Sequence, residues 1–190
     1  MKTQRIVLFL LGFALIIATI LVHHLWGLRG AEGLSGKDIF YVWEEGTKIA
    51  DGINPYTRII GKSLRDNDKY PTYLPLSYYF IAMLNQLGIK SFNHFISIWR
   101  PLNIACHLGI GILTFSIYNQ KRKPISGIIA CSILLLGRWS AYIISVQHLE
   151  FAAILPILLA GQQLNRRPNI SALMFGLSLC IKHVGIILLP

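Results

Sequence analysis

Residues 6–26 carry no acid, lysine or arginine, a run long enough to cross the hydrocarbon core of a bilayer, which takes roughly 20 mostly apolar residues. Lipid offers nothing for backbone N–H and C=O groups to bond, so such a run is confined to helix. Comparable stretches follow at 95–118, 125–146, 150–164 and 170–189, each long enough or nearly so, with tilt or flanking residues absorbing the mismatch. The overall balance agrees, since 54% apolar and 14% charged residues lie far from the proportions of a soluble domain. The expected fold is all-α: one polytopic transmembrane domain over residues 1–190, with five spans and no room for a second soluble domain.

No small-residue cleavage site follows His23 and His24, so residues 6–26 read as an uncleaved span and not as a secretory signal. Residues 75–89 are apolar but short, and they carry Tyr78, Tyr79 and Phe80. They suit a helix at the interface better than a crossing. Lys2 and Arg5, then Lys121, Arg122 and Lys123, then Arg166 and Arg167 all fall on one side if that stretch does not cross. Cytoplasmic loops near span ends accumulate such residues. The topology expected is N-terminus in, in a cell inner (plasma) membrane, with loop 27–92 outside and four further spans in 93–190.

That loop holds every carboxylate of the chain except Glu150. Within residues 27–76 bases balance acids, so the net charge of +10 lies outside that stretch, in topology clusters and isolated intramembrane residues. A single nucleic-acid-binding patch is not formed, and no nucleic-acid partner is expected. Cys106, Cys131 and Cys180 all fall in expected spans, where a thiol behaves as a small apolar group. Neither a Cys-x-x-Cys pair nor a His ligand cluster is present, so no metal site and no cofactor are indicated.

Residues 35–52 have a helical period. Ile39, Val42, Trp43, Gly46, Ile49 and Ala50 share one face and Lys37, Glu44, Lys48 and Asp51 the other, the pattern of an amphipathic helix along a membrane surface. Ser35 and Asp38 have capping-box-like spacing, and Gly52 suits a left-handed terminator. Asp38 therefore has two readings: a carboxylate that favours a helix N-terminus, or a base held ionised by that same environment. Glu44 and Glu45 on the same helix read first as solvated surface acids.

An Asp on a short amphipathic helix after a first span, a Gly52-Ile53-Asn54-Pro55-Tyr56 turn, and the run Tyr70-Pro71-Thr72-Tyr73-Leu74-Pro75-Leu76 together resemble the first outer loop of GT-C membrane glycosyltransferases. The likeness is to the polyprenyl-phosphate-sugar-dependent mannosyltransferase and arabinosyltransferase type. Val146-Gln147-His148 and Ile181-Lys182-His183 resemble later polar steps of such proteins. The resemblance implies transfer of a sugar from a polyprenyl-phosphate donor to a glycan, lipid or protein acceptor on the outer face, with inversion. It places the base at Asp38. Leu74 stands where many members have a second Pro, and the family's common core has about seven spans or more, so the chain reads as an N-terminal fragment.

A lipid-phosphate donor calls for a cation, and charge inside a span is costly and usually functional. Arg100, before Pro101, could bind phosphate bidentately or anchor the helix by snorkelling. Arg138 and Lys182, expected towards outer span ends, have the same two readings. Gln147, His148 and Glu150 form a polar group that could contact a sugar or satisfy itself between helices. Glu45 joins these as a candidate substrate contact. His107 and His183 read as interhelical hydrogen-bond partners. Tyr70, Tyr73, Tyr78 and Tyr79 could stack on sugar rings but read mostly as an aromatic belt. The alternative function is non-catalytic: a remnant, an assembly partner or a transporter component.

Overall fold

The computed structural model describes residues 2–31, 33–58 and 73–182, and among these every regular element is a helix. In order they are α1 (Lys2–Ala31), α2 (Asp38–Ala50), a 3-10 turn (Pro55–Arg58), α3 (Pro75–Gln86), α4 (Phe92–Gln120), α5 (Pro124–Leu136), α6 (Arg138–Val146), α7 (Glu150–Gln163) and α8 (Pro168–Ile181). Proline opens α3, α5 and α8, at the one helical position where its missing N–H costs nothing.

Among the described residues three helices are long and apolar enough to cross a membrane: Ile6–Gly27, Phe92–Gln120 and Pro124–Val146. The protein is thus a helical membrane protein. The expected spans at 150–164 and 170–189 coincide with α7 and α8, which have 14 residues each. At 1.5 Å per residue each is about 21 Å long, short of a hydrocarbon core of about 30 Å. Residues 183–190, with His183, lie outside the described residues, as do 59–72, with Tyr70.

α1 shows the protein a narrow stripe. Leu15, Thr19, His23 and Gly27, spaced by four, are buried, while Ile6, Phe9, Leu10, Phe13 and Leu21 are exposed. That is the pattern of a helix touching protein on one edge and lipid on the rest. Its partners are α6 and α5. Small residues on α4 admit other helices closely: a Cβ at Gly109 would stand 3.0 Å from Leu155, and one at Gly111 2.7 Å from Leu135. This is the usual device where no hydrophobic force separates helix from lipid.

The third long helix is broken at Gly137, whose extended backbone (φ −67°, ψ 158°) ends α5 and begins α6. A freed carbonyl at membrane depth needs a donor. Leu134 O finds two, the Ser140 hydroxyl and His107 Nε2, the latter at 3.3 Å.

The largest buried apolar cluster among the described residues joins α2 and α3 to the start of α4. Ile39 and Val42 of α2, Tyr78, Ile81 and Leu84 of α3, Phe95, Ile96 and Trp99 of α4, and Leu149 form one buried cluster. Gly46 sits so close to α3 that a Cβ there would lie 2.5 Å from Ile81 Cβ. The expected amphipathic face is present, but protein covers it. The expected start of α2 needs correction: the N-cap is Lys37, with no side-chain cap bond, so Ser35 and Asp38 form no capping box. The expected end holds, with Gly52 at φ +78° and Ile53 N donating to Lys48 O, a left-handed close that glycine makes without strain.

Candidate functional site

α2, the α6–α7 junction and the end of α8 bring four ionisable side chains together. Asp38 is the first residue of α2, where the helix dipole favours its negative charge. His148 and Glu150 flank Leu149 at the start of α7, and Lys182 is the residue after α8. His148 Nε2 stands 3.4 Å from Asp38 Oδ2, and its Nδ1 3.0 Å from Glu150 Oε1. Lys182 Nζ donates to that same Glu150 oxygen. Asp38, His148 and Lys182, each singled out from sequence, thus converge with Glu150.

The order of charge along this chain is acid, imidazole, acid, ammonium. The Lys182 ammonium and the His148 imidazole both lie on Glu150 Oε1 and favour it as a carboxylate. Its second oxygen, Oε2, is buried and has no hydrogen-bond partner among the described residues. The Asp38 side chain is 34% exposed and those of His148, Glu150 and Lys182 only 13–15%. Asp38 is therefore the member that an incoming group meets first.

Tyr73 closes one side. Lys182 Nζ lies 5.3 Å from the centroid of its ring, within cation–π range. Burial, then the charges of Asp38 and Glu150, push its phenol above the ordinary tyrosine value, so it stays neutral. Tyr78 Oη accepts from Tyr73 N at 3.1 Å, and Tyr56 Oη donates to Tyr73 O at 2.8 Å. Tyr73 and Tyr78 are buried and Tyr79 exposed, so among the described members of the expected belt Tyr79 is the one placed to face out. Tyr73 was a candidate for stacking on a sugar ring, but its contact with Lys182 was not foreseen, because nothing in its local sequence reveals that Lys182 folds back over it.

Gln147 precedes the cluster and is engaged internally. It ends α6 in the left-handed region (φ 54°), a conformation that costs a non-glycine residue free energy. Its Nε2 donates to Ile144 O at 2.6 Å, its Oε1 receives a long contact of 3.5 Å from Asn103 Nδ2, and its carbonyl accepts from Trp99 Nε1 at 2.9 Å. These bonds fix the direction in which His148 leaves α6. Gln147 also lines a cavity of about 160 Å³ with His23, His24, Gly27 and Arg100.

Arg100 faces that cavity and not the Asp38 cluster. Its Nη2 donates to Gly27 O at 3.2 Å, while Nε is buried with no hydrogen-bond partner among the described residues. Arg138 is exposed just after the Gly137 break, inside the 124–146 helix and short of the outer end expected for it. Glu45 corrects its reading as a solvated acid: it is 3% exposed and bonded to Lys48 Nζ at 2.9 Å. Glycine at position 46 lets α3 close over this edge of α2, which buries it.

His107 is an interhelical partner as expected, but its mate was not foreseen. His23 Nε2 and His107 Nδ1 are 2.9 Å apart, and the His107 ring stacks on Phe151 at 3.9 Å. The spacing of His23 from Leu15 and Thr19 was the available signal. Among the described residues no group of three or more His, Cys, Asp or Glu is placed to hold a metal ion. No family model, curated protein or solved structure matches the chain.

Proposed function

We propose that this chain acts in membrane glycosyl transfer: a sugar passes from a polyprenyl-phosphate donor to an acceptor hydroxyl at the outer membrane face, with inversion, and Asp38 is the base. The observation that carries the reading is the convergence of Asp38, the most exposed member, with His148, Glu150 and Lys182 from segments far apart in sequence. In the reaction the acceptor oxygen attacks the anomeric carbon. The bond from that carbon to the phosphate oxygen breaks, its electron pair leaves with the phosphate, and Asp38 takes the hydroxyl proton.

The donor phosphate is assigned to Arg100, whose uncommitted Nε suits a phosphate oxygen. Gln147 lines the Arg100 cavity and is the residue before His148, so donor and base would meet across one peptide step. The five-span, N-terminus-in topology puts Asp38 and Lys182 on the outer side together, and their contact through His148 and Glu150 supports that arrangement.

The test is Asp38→Asn in the complete protein, supplied with radiolabelled polyprenyl-phosphate hexoses and pentoses in membranes. Loss of a general base costs about 10²–10⁴-fold, and a loss in that range with normal membrane insertion is expected. Transfer at the unaltered rate removes Asp38 from the reaction. A second, non-catalytic reading is favoured by one observation: the Lys182–Glu150 pair closes within the protein, as a clasp between α7 and α8 would. On that reading no donor supports transfer by the unaltered protein.

A further inference from the structure

The imidazole of His148 stands between two carboxylates, and in its neutral form it has only one N–H to give. Nδ1 is the nitrogen with hydrogen-bond geometry, 3.0 Å from Glu150 Oε1, and the Lys182 ammonium on that oxygen keeps the carboxylate charged and fixed. We therefore assign the ring proton to Nδ1. Nε2 then presents a bare lone pair to Asp38 Oδ2 at 3.4 Å. Two basic atoms facing each other at that distance repel when no proton lies between them, and form a charge-assisted hydrogen bond when one does.

Among the described residues, the groups placed about the ring are Asp38 from α2 and Glu150 from α7, with Lys182 from the end of α8 on the Glu150 oxygen, and the Tyr142 ring from α6 lies 6.1 Å away. Carboxylates thus flank the imidazole at both nitrogens, an arrangement that favours a proton on each.

Resting on the assignment of Asp38 as base, we infer that His148 is the second half of that base: the proton that Asp38 takes from the acceptor hydroxyl passes on to His148 Nε2. The acceptor oxygen bonds to the anomeric carbon and the phosphate leaves with the electron pair of the broken bond. The hydroxyl proton goes first to an Asp38 oxygen and then to Nε2, leaving Asp38 again ionised beside an imidazolium that Glu150 neutralises. Nothing is oxidised or reduced. Glu150, Lys182 and Gln147 are positioning residues, which hold the ring with Nε2 towards Asp38. The 3.4 Å gap suits a resting enzyme, since catalytic hydrogen bonds tighten when the proton moves.

The test has two arms, both on the full chain in lipid nanodiscs. In the first, histidine is labelled with ¹⁵N at both ring nitrogens and the His148 signals are assigned by their absence in His148→Gln. The neutral ring is expected to carry its proton on Nδ1, and Asp38→Asn to move the Nε2 resonance while leaving that of Nδ1 in place, because Nε2 is the nitrogen that faces the lost carboxylate. An unmoved Nε2 resonance, or a neutral ring protonated on Nε2, overturns the inference. In the second, transfer from radiolabelled polyprenyl-phosphate sugars is followed from about pH 5 to about pH 9, the window in which histidine titrates. The unaltered protein should lose rate on the acid side, and His148→Gln should be at least about tenfold slower with a flat acid side. Full rate in His148→Gln, or an unchanged acid limb, also overturns it. If Asp38→Asn transfers normally, the assignment of Asp38 fails instead, and if no donor is used at all the nitrogen spectra still decide whether Asp38 and His148 share a proton.

Discussion

Residue by residue, the cluster is a set of charges that each depend on the next. Glu150 and Lys182 are both largely covered, and a half-buried ion pair loses most when one partner alone is removed, because the other charge is stranded. Lys182→Met and Glu150→Gln should each destabilise the protein by about 3 kcal/mol. The double variant should cost clearly less than the sum of the two. Thermal unfolding of detergent-solubilised protein measures all three, and strict additivity would mean that the pair contributes no mutual energy.

Among elements, α2 and α3 set the position of Asp38, and their contact rests on Gly46. An added Cβ would stand 2.5 Å from Ile81 Cβ and 3.0 Å from the Tyr78 carbonyl oxygen, and the backbone atom cannot rotate away. Overpacking of this kind costs about 1–3 kcal/mol, so Gly46→Ala should speed hydrogen exchange of the α2 and α3 amides while leaving α4 protected. Equal protection throughout would show that the helices absorb the methyl. The apolar spacing of residues 39–50 made this helix and its inner face legible in sequence, and Gly52 made its end legible. The burial of Glu45 was not legible, because its own helix marks it as an edge residue and only the partner helix decides its exposure. Asp38, His148 and Lys182 were visible singly as charges near span ends. Their joining was not, since no local pattern states that α8 ends against α7 or that Lys182 reaches Tyr73. The break at Gly137 was hidden for a similar reason: residues 125–146 are continuously apolar enough to read as one span, and the donors to Leu134 O come from Ser140 within the segment and from His107 on another helix.

For the whole molecule, three helices have membrane length while α7 and α8 have 14 residues each, and the site depends on which side the α7–α8 turn occupies. Lys121, Arg122 and Lys123 follow α4, while Arg166 and Arg167 follow α7. Cytoplasmic retention of basic clusters favours both on the inner side. α7 and α8 then cross by tilting little, thinning the bilayer locally and letting the flanking arginines snorkel, at a modest cost per ångström of mismatch. A hairpin that dips in and returns would instead leave Arg166 on the side of Asp38. Single cysteines distinguish the two in a background where Cys106, Cys131 and Cys180 are replaced. With a membrane-impermeant maleimide on intact cells, Ser35→Cys and Asn54→Cys should label at once, and Lys121→Cys and Arg166→Cys only after permeabilisation. Labelling of Arg166→Cys in intact cells would replace five spans by three and make α7 and α8 a re-entrant pair. Asp38 and Lys182 would still share the outer side, because both ends of such a hairpin open there, so the cluster survives either outcome. What changes is the membrane depth of the α7–α8 turn, and with it whether an acceptor approaching Asp38 meets a wall of spanning helix or an open edge to lipid.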